Sequence, residues 1–492
     1  MKRMLSLFGA LLVCMALSAQ TLRVVTGMVN WMYKASDTGN MTYTDGQTLT
    51  IGQRTYNISD IDAIIVDDTP VEDATVVVAY DGGKAFVMVS GDVAPYIEVK
   101  GSGAHVSIVA SSSLTQEITY TLVGESTNGS FTMDGELKAT FMLNGLSLHN
   151  PDGAAMYIKC GKQLKMRLAD GTVNSLSDGL TSADDGSDYH KAALFLNGHS
   201  TWKGTGSLTV TGNVKHGISC DEYMELGKSL GNITVSTTQG DGIHVKEYFQ
   251  MAGGTLNITS QGDGVDVEVK KSSTDEQNGQ IVISGGTLNV STSGDATKGL
   301  KCDADMVVSG GTINATTTGA AVYEADEADL SSCAAAKPDG AFTMTGGEMT
   351  LSSSGAGGKG LNATGRVTVS GGTLIVCTTG SVHVYGTLDS KPQAIKSDTD
   401  IVLEGGSILS CASEDSGTAF KTDYKVLTNG ATVMGIGGKQ TKPDASSTHG
   451  YTTYKGVSVS GGQTISYDGV TFTVPGNYTN SSAKIMVSSA EM

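Results

Sequence analysis

Residues 242–259 read GIHVKEYFQMAGGTLNIT, a stretch with three short segments in which apolar and polar residues alternate. The apolar residues stand at positions 243 and 245, then 249 and 251, then 256 and 258. A period of two is typical of β-strands that bury one face. The pair Gly253-Gly254 favours a turn, because glycine adopts positive φ without strain. The stretch therefore predicts three short β-strands, A, B and C, joined by tight turns.

The same pattern recurs along the chain at a short period. Gly217, Gly242 and Gly264 open three successive units, which lie 25 and 22 residues apart. A glycine pair followed by a strand recurs as GGTLNIT at 253, GGTLNVS at 285, GGTINAT at 310, GGEMTLS at 346, GGTLIVC at 371 and GGSILSC at 405. This repeat predicts an all-β fold, a right-handed parallel β-helix with three strands per coil of about 22–25 residues.

Both ends of the chain depart from the repeat. Lys2 and Arg3 precede an apolar run that ends in small residues, as in a secretory signal peptide. Hairpin-like alternation at the start suggests a domain or cap that shields the first sheet edge. The predicted regions are a signal peptide at 1–19, a small N-terminal β domain or cap at 20–100, the β-helix at 101–430, and a C-terminal coil and β cap at 431–492.

The predicted location is secreted, periplasmic or cell-surface. Cys14 does not indicate a lipid anchor, because Val13 before it is too large for a lipid-attachment site. Past the signal peptide, no run of eighteen apolar residues predicts a transmembrane segment. The net charge of −18 argues against nucleic acid as a partner, since phosphate binding needs clustered Lys and Arg. A monomer is expected, and Cys377 and Cys411 are either free or bridged.

Equivalent positions of successive units are predicted to stack about 4.8 Å apart. The outward position two residues after the opening Gly or Ala gives a predicted strand A column of Ser219, His244, Asp266, Lys301, Tyr323, Asn362, Lys396 and Lys421. Carboxylates stacked this closely repel unless a cation lies between them, and calcium prefers such oxygen ligands. The predicted metal ligands are Asp241, Asp263, Asp266, Glu268, Asp295 and Asp303. The alternative is that Asp-Gly is simply a good turn pair.

Aromatic and polar side chains near this column are candidates for sugar binding, because a flat ring packs on the apolar face of a pyranose. The predicted carbohydrate-binding residues are Tyr223, Tyr248, His244, Tyr323 and Lys301. Stacked tyrosines also stabilise neighbouring strands, which is the structural alternative. Insertions are expected to form the two sides of a trough along the outer face of strand A. They lie between strands A and B at 270–280 and 325–340, and between strands C and A at 177–190 and 379–393.

The alternation of GDGI and GLKCD segments with Gly-Gly-Thr strands resembles a bacterial secreted family of carbohydrate-binding parallel β-helix proteins. The resemblance covers about residues 140–430. Those proteins resemble polysaccharide lyases of the pectate-lyase type and hold calcium. The resemblance implies calcium-dependent binding of plant cell-wall-type glycans, cellulose-like or polygalacturonate-like, and it does not imply lyase activity.

Two other functions stay open. One is a pectate-lyase-like uronate lyase, in which Lys301 or Lys396 is the base and calcium stabilises the anion. The other is a structural or adhesive surface protein with no catalysis. In the structural interpretation, the lysines of the column form a ladder with nearby aspartates. No other catalytic residue is predicted.

Overall fold

The computed structural model describes residues 20–180, 186–413 and 416–492. The predicted signal peptide and Cys14 lie outside the described residues. Regular structure in the described ranges is almost entirely β-strand. The short 3-10 helices are Ala35–Asp37, Ile58–Asp60, Ala94–Tyr96 and Asp188–His190.

The first half of the chain contains the longest strands. They are β1 Thr21–Thr26, β2 Val29–Lys34, β3 Thr42–Thr44, β4 Thr48–Ile51, β5 Arg54–Asn57, β6 Ala63–Asp67, β7 Thr75–Asp81, β8 Lys84–Ser90, β9 Ile97–Ser102, β10 Ala104–Ala110, β11 Ile118–Ser126, β12 Gly129–Asp134, β13 Ala139–Asn150, β14 Met156–Leu168, β15 Val173–Asp178, β16 Ala192–Gly212, β17 His216–Cys220 and β18 Met224–Thr237.

The second half contains the regular short units and then the C-terminal strands. They are β19 Ile243–Val245, β20 Phe249–Met251, β21 Thr255–Ser260, β22 Val265–Val267, β23 Ile281–Ile283, β24 Thr287–Thr292, β25 Lys298–Cys302, β26 Met306–Val308, β27 Thr312–Thr317, β28 Val322–Glu324, β29 Asp329–Ser331, β30 Ala334–Pro338, β31 Phe342–Met344, β32 Glu348–Ser353, β33 Lys359–Ala363, β34 Val367–Thr378, β35 His383–Tyr385, β36 Leu388–Ser390, β37 Gln393–Ser397, β38 Ile401–Cys411, β39 Thr418–Lys421, β40 Val426–Thr428, β41 Thr432–Gly437, β42 Thr452–Ser460, β43 Thr464–Tyr467, β44 Val470–Thr473 and β45 Thr479–Ser488.

The structure corrects the predicted fold class. The chain is all-β, as expected, but the right-handed parallel β-helix with three strands per coil is wrong. Most described strands belong to one 36-stranded sheet, which closes as a 10-strand parallel β-barrel with extra strands. The sequence pattern alone does not distinguish these architectures, because both bury the same alternating residues.

Continuous strands replace several of the predicted short ones. β16 is a single strand of 21 residues, and its pairing with β18 continues across a corner where the register shifts on both sides of Gly204. Gly204 has φ +101, a backbone conformation that glycine adopts without steric cost. The sheet therefore bends at this corner, where the sequence pattern predicted a turn between separate strands.

The N-terminal strands join the same sheet, as the pairing of a cap with the first sheet edge would require. β7 pairs in parallel with β11, and β9 pairs antiparallel with β10. One apolar core runs from Leu22 to Met486, and a second cluster lies beneath β42–β45. The predicted boundaries near residues 100 and 430 remain predictions.

Strands one unit apart pair in parallel and in register, which places equivalent residues side by side. Ile218 pairs with Ile243, Ile243 with Val265, and Val265 with Leu300, and all four are fully buried. The alternate positions of these strands form the outward column. Inward aliphatic residues thus fix the positions of the side chains that form the candidate site.

Two antiparallel hairpins project from the turns that lead into first strands. Hairpin 1 is β28–β29, which precedes β30, and hairpin 2 is β35–β36, which precedes β37. Hairpin 2 lies between strands C and A, as expected for segment 379–393. Segment 325–340 was expected between strands A and B, but hairpin 1 lies between C and A. The reason is that the sequence AVYEAD at Ala321 imitates a first strand, whereas the first strand of that unit is β30.

Candidate functional site

The structure aligns most of the predicted strand A column. Ser219 pairs with His244, His244 with Asp266, and Asp266 with Lys301. Lys301 then pairs with Lys337 rather than with the predicted Tyr323. The column continues through pairs of Asn362 with Lys396 and Lys396 with Lys421. Tyr323 instead lies in β28 of hairpin 1.

The first strands bring two histidines and two aspartates together. The rings of His216 and His244 stack with centroids 4.9 Å apart and an angle of 13°. Asp241 Oδ2 lies 3.1 Å from His216 Nδ1 and 3.7 Å from His244 Nδ1. Asp266 Oδ2 lies 3.2 Å from His244 Nδ1 on its other side. Sequence reasoning missed His216, although it precedes Gly217 just as Asp241 precedes Gly242.

Asp266 and Lys301 form a largely buried ion pair in the same column. Lys301 Nζ donates to Asp266 Oδ1 at 2.9 Å, and the Asp266 side chain is 8% exposed. Burial alone would raise the pKa of Asp266, but the His244 hydrogen bond and the Lys301 charge lower it. Burial opposes the charge on Lys301, yet the Asp266 carboxylate raises the pKa of Lys301 above its usual value. Lys301 is therefore held protonated, which is the wrong state for a lyase base.

Lys396 also has a carboxylate partner, since its Nζ donates to Asp398 Oδ1 at 2.6 Å. The structure thus places both candidate lyase lysines in ion pairs with aspartates. These contacts agree with the alternative in which the lysines of the column form a structural ladder with nearby aspartates.

The turn aspartates bind backbone amides of the next unit. Asp241 Oδ1 accepts from Asp263 N at 2.8 Å, and Asp263 Oδ1 accepts from Lys298 N at 2.7 Å. Asp295 Oδ1 accepts from Ala320 N at 2.7 Å in the same way. Burial, together with the charge of Asp241, raises the pKa of Asp263 to about 6. These carboxylates have a structural role that the sequence pattern did not reveal.

The predicted calcium ligands on and after strand A contact different partners. Asp303 Oδ2 accepts from Val269 N at 3.0 Å, and Glu268 Oε2 lies 3.8 Å from His244 Nε2. Calcium takes six to eight oxygen ligands, but Asp266 faces an imidazole and an ammonium. The residues around Asp266 therefore fit calcium poorly. Calcium remains a prediction for the turn carboxylates.

A second aromatic stack continues across the neighbouring second strands. Tyr223 lies between His199 and Tyr248, with ring centroids 4.6 Å and 4.7 Å away. Tyr248 is only 5% exposed, and its hydroxyl donates to Glu225 Oε1 at 3.0 Å. Burial and the Glu225 charge raise the pKa of Tyr248. A buried Tyr248 does not offer its face to a sugar, whereas Tyr223 is partly exposed.

The two hairpins carry a tyrosine pair in which Tyr385 is exposed and Tyr323 is partly buried. The rings of Tyr323 and Tyr385 stack with centroids 4.3 Å apart and an angle of 11°. Tyr385 is 52% exposed, and the neighbouring Val384 is 64% exposed. Sequence reasoning missed Tyr385. The sequence did contain a signal for Tyr385. It lies in an insertion, and the residues HVYG there are typical of a strand followed by a turn.

A lysine anchors each hairpin at its base. Lys298 Nζ donates to Ser331 Oγ of hairpin 1 at 3.1 Å. Lys359 Nζ donates to Ser390 Oγ of hairpin 2 at 3.0 Å and to the carbonyl of Gly357 at 3.1 Å. Both lysines begin a Lys-Gly-Leu sequence at the start of a first strand. The two hairpins are thus attached to the sheet by the same local motif.

Lys359 makes the stability of the fold depend on pH. Burial, reinforced by the charge of Lys396, lowers the pKa of Lys359 from 10.5 to about 7. Asp389 opposes this shift, and Lys391 adds to it. Between these two values the unfolded chain binds a proton that the folded chain does not, so stability rises with pH from about 7 to 10.5.

We expect the unfolding free energy of the wild type, minus that of Lys359→Met, to increase between pH 7 and pH 10. The slope has an upper bound of about 1.4 kcal/mol per pH unit. Urea unfolding at several pH values measures the difference. Lys421→Met, which removes a more exposed lysine, is the control. A flat difference across this range would contradict the lowered pKa.

The cysteines of the described ranges are free thiols, and all are buried. Cys377 and Cys411 pair in register on adjacent strands, yet they are not bridged in this structure. Burial raises the pKa of both thiols. They therefore pack as small apolar groups.

Comparison with known proteins identifies the family. The family model described as "Carbohydrate-binding domain-containing protein" matches residues 102–382, which is more than half of the chain. The chain therefore belongs to this carbohydrate-binding family. Family membership supports a polysaccharide as the partner and leaves its type open.

Two similar proteins accompany this match. A "Carbohydrate-binding domain-containing protein" of Acetivibrio thermocellus is 32% identical over 126 residues, which are 25% of this chain and 43% of that protein. The matched region thus spans less than half of the relative's length. The solved "polysaccharide lyase-like protein from C. thermocellum, Gadolinium derivative" shares 22% identity and covers 55% of this chain and 96% of its own, with a TM-score of 0.43.

Among the described residues, the structure contains no helix with the length and apolar character needed to cross a bilayer.

Proposed function

We propose that the chain is a secreted, periplasmic or cell-surface protein that binds plant cell-wall-type polysaccharide on its hairpin face. The hairpin face consists of Tyr323 and Tyr385 with the column residues Lys337, Lys396 and Lys421. The stack of the exposed Tyr385 on the partly exposed Tyr323 is the observation that carries this proposal. It supports a sugar-binding surface on the two hairpins, beside the predicted strand A column.

An exposed tyrosine ring that is backed by a second ring suits a sugar ring. A tyrosine offers a flat apolar face for C–H groups and a hydroxyl that stays hydrated. Val384 and Val322 precede the two tyrosines in their strands and are also exposed, with fractions of 64% and 37%. Exposed apolar patches bordered by polar groups often mark binding sites. Each ring is held by the other, so little side-chain freedom is lost when a sugar binds.

The lysines favour an acidic glycan of the polygalacturonate type over a neutral one of the cellulose type. Lys337 and Lys421 each pair with the aspartate two residues further on, as Lys396 does. Exposed ion pairs of this kind contribute about 0–1 kcal/mol. A uronate carboxylate can therefore replace the aspartate at small cost.

Calcium dependence is part of the proposal. Asp241 and Asp263 lie close enough for the charge of one to raise the pKa of the other. A bound cation would relieve this repulsion. Loss of glycan binding in a calcium chelator, with recovery on adding calcium, is the expected result.

Substitution of the more exposed tyrosine tests the binding face. Tyr385→Ala is expected to weaken polygalacturonate binding about tenfold, or about 1.4 kcal/mol, because the sugar loses its stacking surface. Affinity electrophoresis in gels containing polygalacturonate, and separately hydroxyethylcellulose, measures the effect. Tyr43→Ala is the matched control, since Tyr43 is 55% exposed and distant in sequence. Equal retardation of the wild type and Tyr385→Ala would contradict the proposed face.

A further inference from the structure

The histidine–aspartate cluster of the first strands is built from buried residues. His216 and His244 are 6% and 8% exposed, and Asp266 is 6% exposed. Such burial is costly for polar groups unless they have partners. The ligand atoms of His216, Asp241 and His244 all lie within 4.8 Å of one another. This cluster differs from the predicted calcium set because it contributes nitrogen as well as oxygen.

The contacts of His216 conflict without a cation. Its Nδ1 lies 3.1 Å from the backbone N–H of Asp241, which donates to it. The same Nδ1 lies 3.1 Å from Asp241 Oδ2, which only accepts while ionised. An unprotonated Nδ1 therefore faces a negative oxygen, and a protonated one faces another N–H group. A metal ion between Nδ1 and Oδ2 would remove the repulsion of the two lone pairs.

A second observation points to a ligand at the same place. Ser219 is the register partner of His244 and is completely buried. Its Oγ has no hydrogen-bond partner among the described residues. Buried hydroxyls are nearly always hydrogen-bonded, so this one needs an explanation. Water bound to an ion beside His244 would provide its partner.

The spacing of the donor atoms suits a tetrahedral ion. Zinc binds nitrogen and carboxylate oxygen at about 2.0–2.2 Å, so tetrahedral ligands lie roughly 3.3–3.5 Å apart. The separations of Asp241 Oδ2 from His216 Nδ1 and His244 Nδ1, 3.1 Å and 3.7 Å, lie on either side of this range. Imidazole nitrogens favour zinc and similar transition ions, whereas calcium prefers oxygen ligands alone.

We propose that His216, Asp241 and His244 form a site for a first-row divalent transition ion of the zinc type. Asp266 Oδ2 lies 3.2 Å from the same Nδ1 of His244, so ion binding exchanges the contact with Asp266 for a bond from this nitrogen to the metal. The site does not rest on glycan binding at the hairpin face. It links strands β17 and β19, since His216 begins β17, His244 lies in β19 and Asp241 precedes β19.

Titration of the metal-stripped full chain with zinc chloride tests the proposal. We expect one zinc ion per chain, and a visible tetrahedral absorption band when cobalt(II) replaces zinc. His244→Gln should lower zinc affinity by on the order of 100-fold or more. Loss of a residue that only hydrogen-bonds to a ligand already costs up to about 100-fold, and His244 is a ligand itself. Asp241→Asn is the second variant, because asparagine keeps an oxygen that can accept from the Asp263 amide. Circular dichroism shows whether each variant is folded.

His199→Gln is the matched control, because His199, Glu222 and Glu247 form a separate cluster. This variant should keep zinc affinity within twofold, and millimolar calcium should not displace the zinc. The proposal is overturned if the wild type binds no zinc. It is also overturned if His199→Gln removes binding while His244→Gln retains it, or if calcium displaces the ion.

Discussion

Gly355→Ala is expected to destabilise the fold by about 4 kcal/mol or more, because its Cβ would overlap the backbone of the neighbouring unit. The added Cβ would lie 1.6 Å from the carbonyl oxygen of Gly319. Gly319 and Gly380 have the same problem, at 1.9 Å from the carbonyl oxygens of Gly294 and Gly355. These glycines stack in one column where the units approach most closely. The clashing atom is backbone in each case, which cannot move away as the end of a flexible side chain can.

The shift of the urea midpoint, followed by circular dichroism, measures this effect. Gly83→Ala is the control, because a Cβ there meets nothing within 4 Å and its φ is not positive. It should change stability by less than about 0.5 kcal/mol. If Gly355→Ala unfolds at the same urea concentration as Gly83→Ala, the inference that the units pack closely at this column is wrong.

Lys301→Met is expected to cost about 3 kcal/mol, because it leaves the buried Asp266 carboxylate without its ammonium partner. Lys421→Met removes the equivalent lysine from a pair whose carboxylate, Asp423, is 86% exposed. Its cost should stay below about 1 kcal/mol. Urea unfolding at pH 7 compares the two variants. Equal costs would show that burial of Asp266 does not matter.

The same pair predicts an effect of acid. The pKa of Asp266 is lowered in the folded chain, so its contribution to stability is lost as the pH falls through that value. The difference between the wild type and Lys301→Met should therefore shrink in acid. The double variant Lys301→Met/Asp266→Asn should recover part of the loss, since no unpaired buried charge remains. No recovery would point to lost packing of the lysine stem instead.

The register between strands could be predicted from the sequence better than the closure of the sheet into a barrel. Ser219, His244, Asp266 and Lys301 align as the repeat predicts, because the inward aliphatic residues allow one register only. Closure depends on corners such as Gly204, where the chain bends without leaving the sheet. Alternation of apolar and polar residues carries no information about such a bend.

The candidate site could be predicted only in part. Tyr323 was misplaced because its segment imitates a first strand, and the burial of Tyr248 depends on a contact with Glu225 that no local pattern shows. Tyr385 meets Tyr323 through two separate insertions, so their contact is visible only in three dimensions. His216 could have been predicted from the sequence. It precedes Gly217 as Asp241 precedes Gly242, so alignment of the residues before the opening glycines places the two side by side.

The structure of a complex with an oligogalacturonate, solved with calcium present, tests glycan binding at the hairpin face most directly. We expect a sugar ring packed on Tyr323 or Tyr385, with a uronate carboxylate beside Lys337 or Lys396. Sugar bound instead along Tyr223, with both hairpins unoccupied, would contradict it.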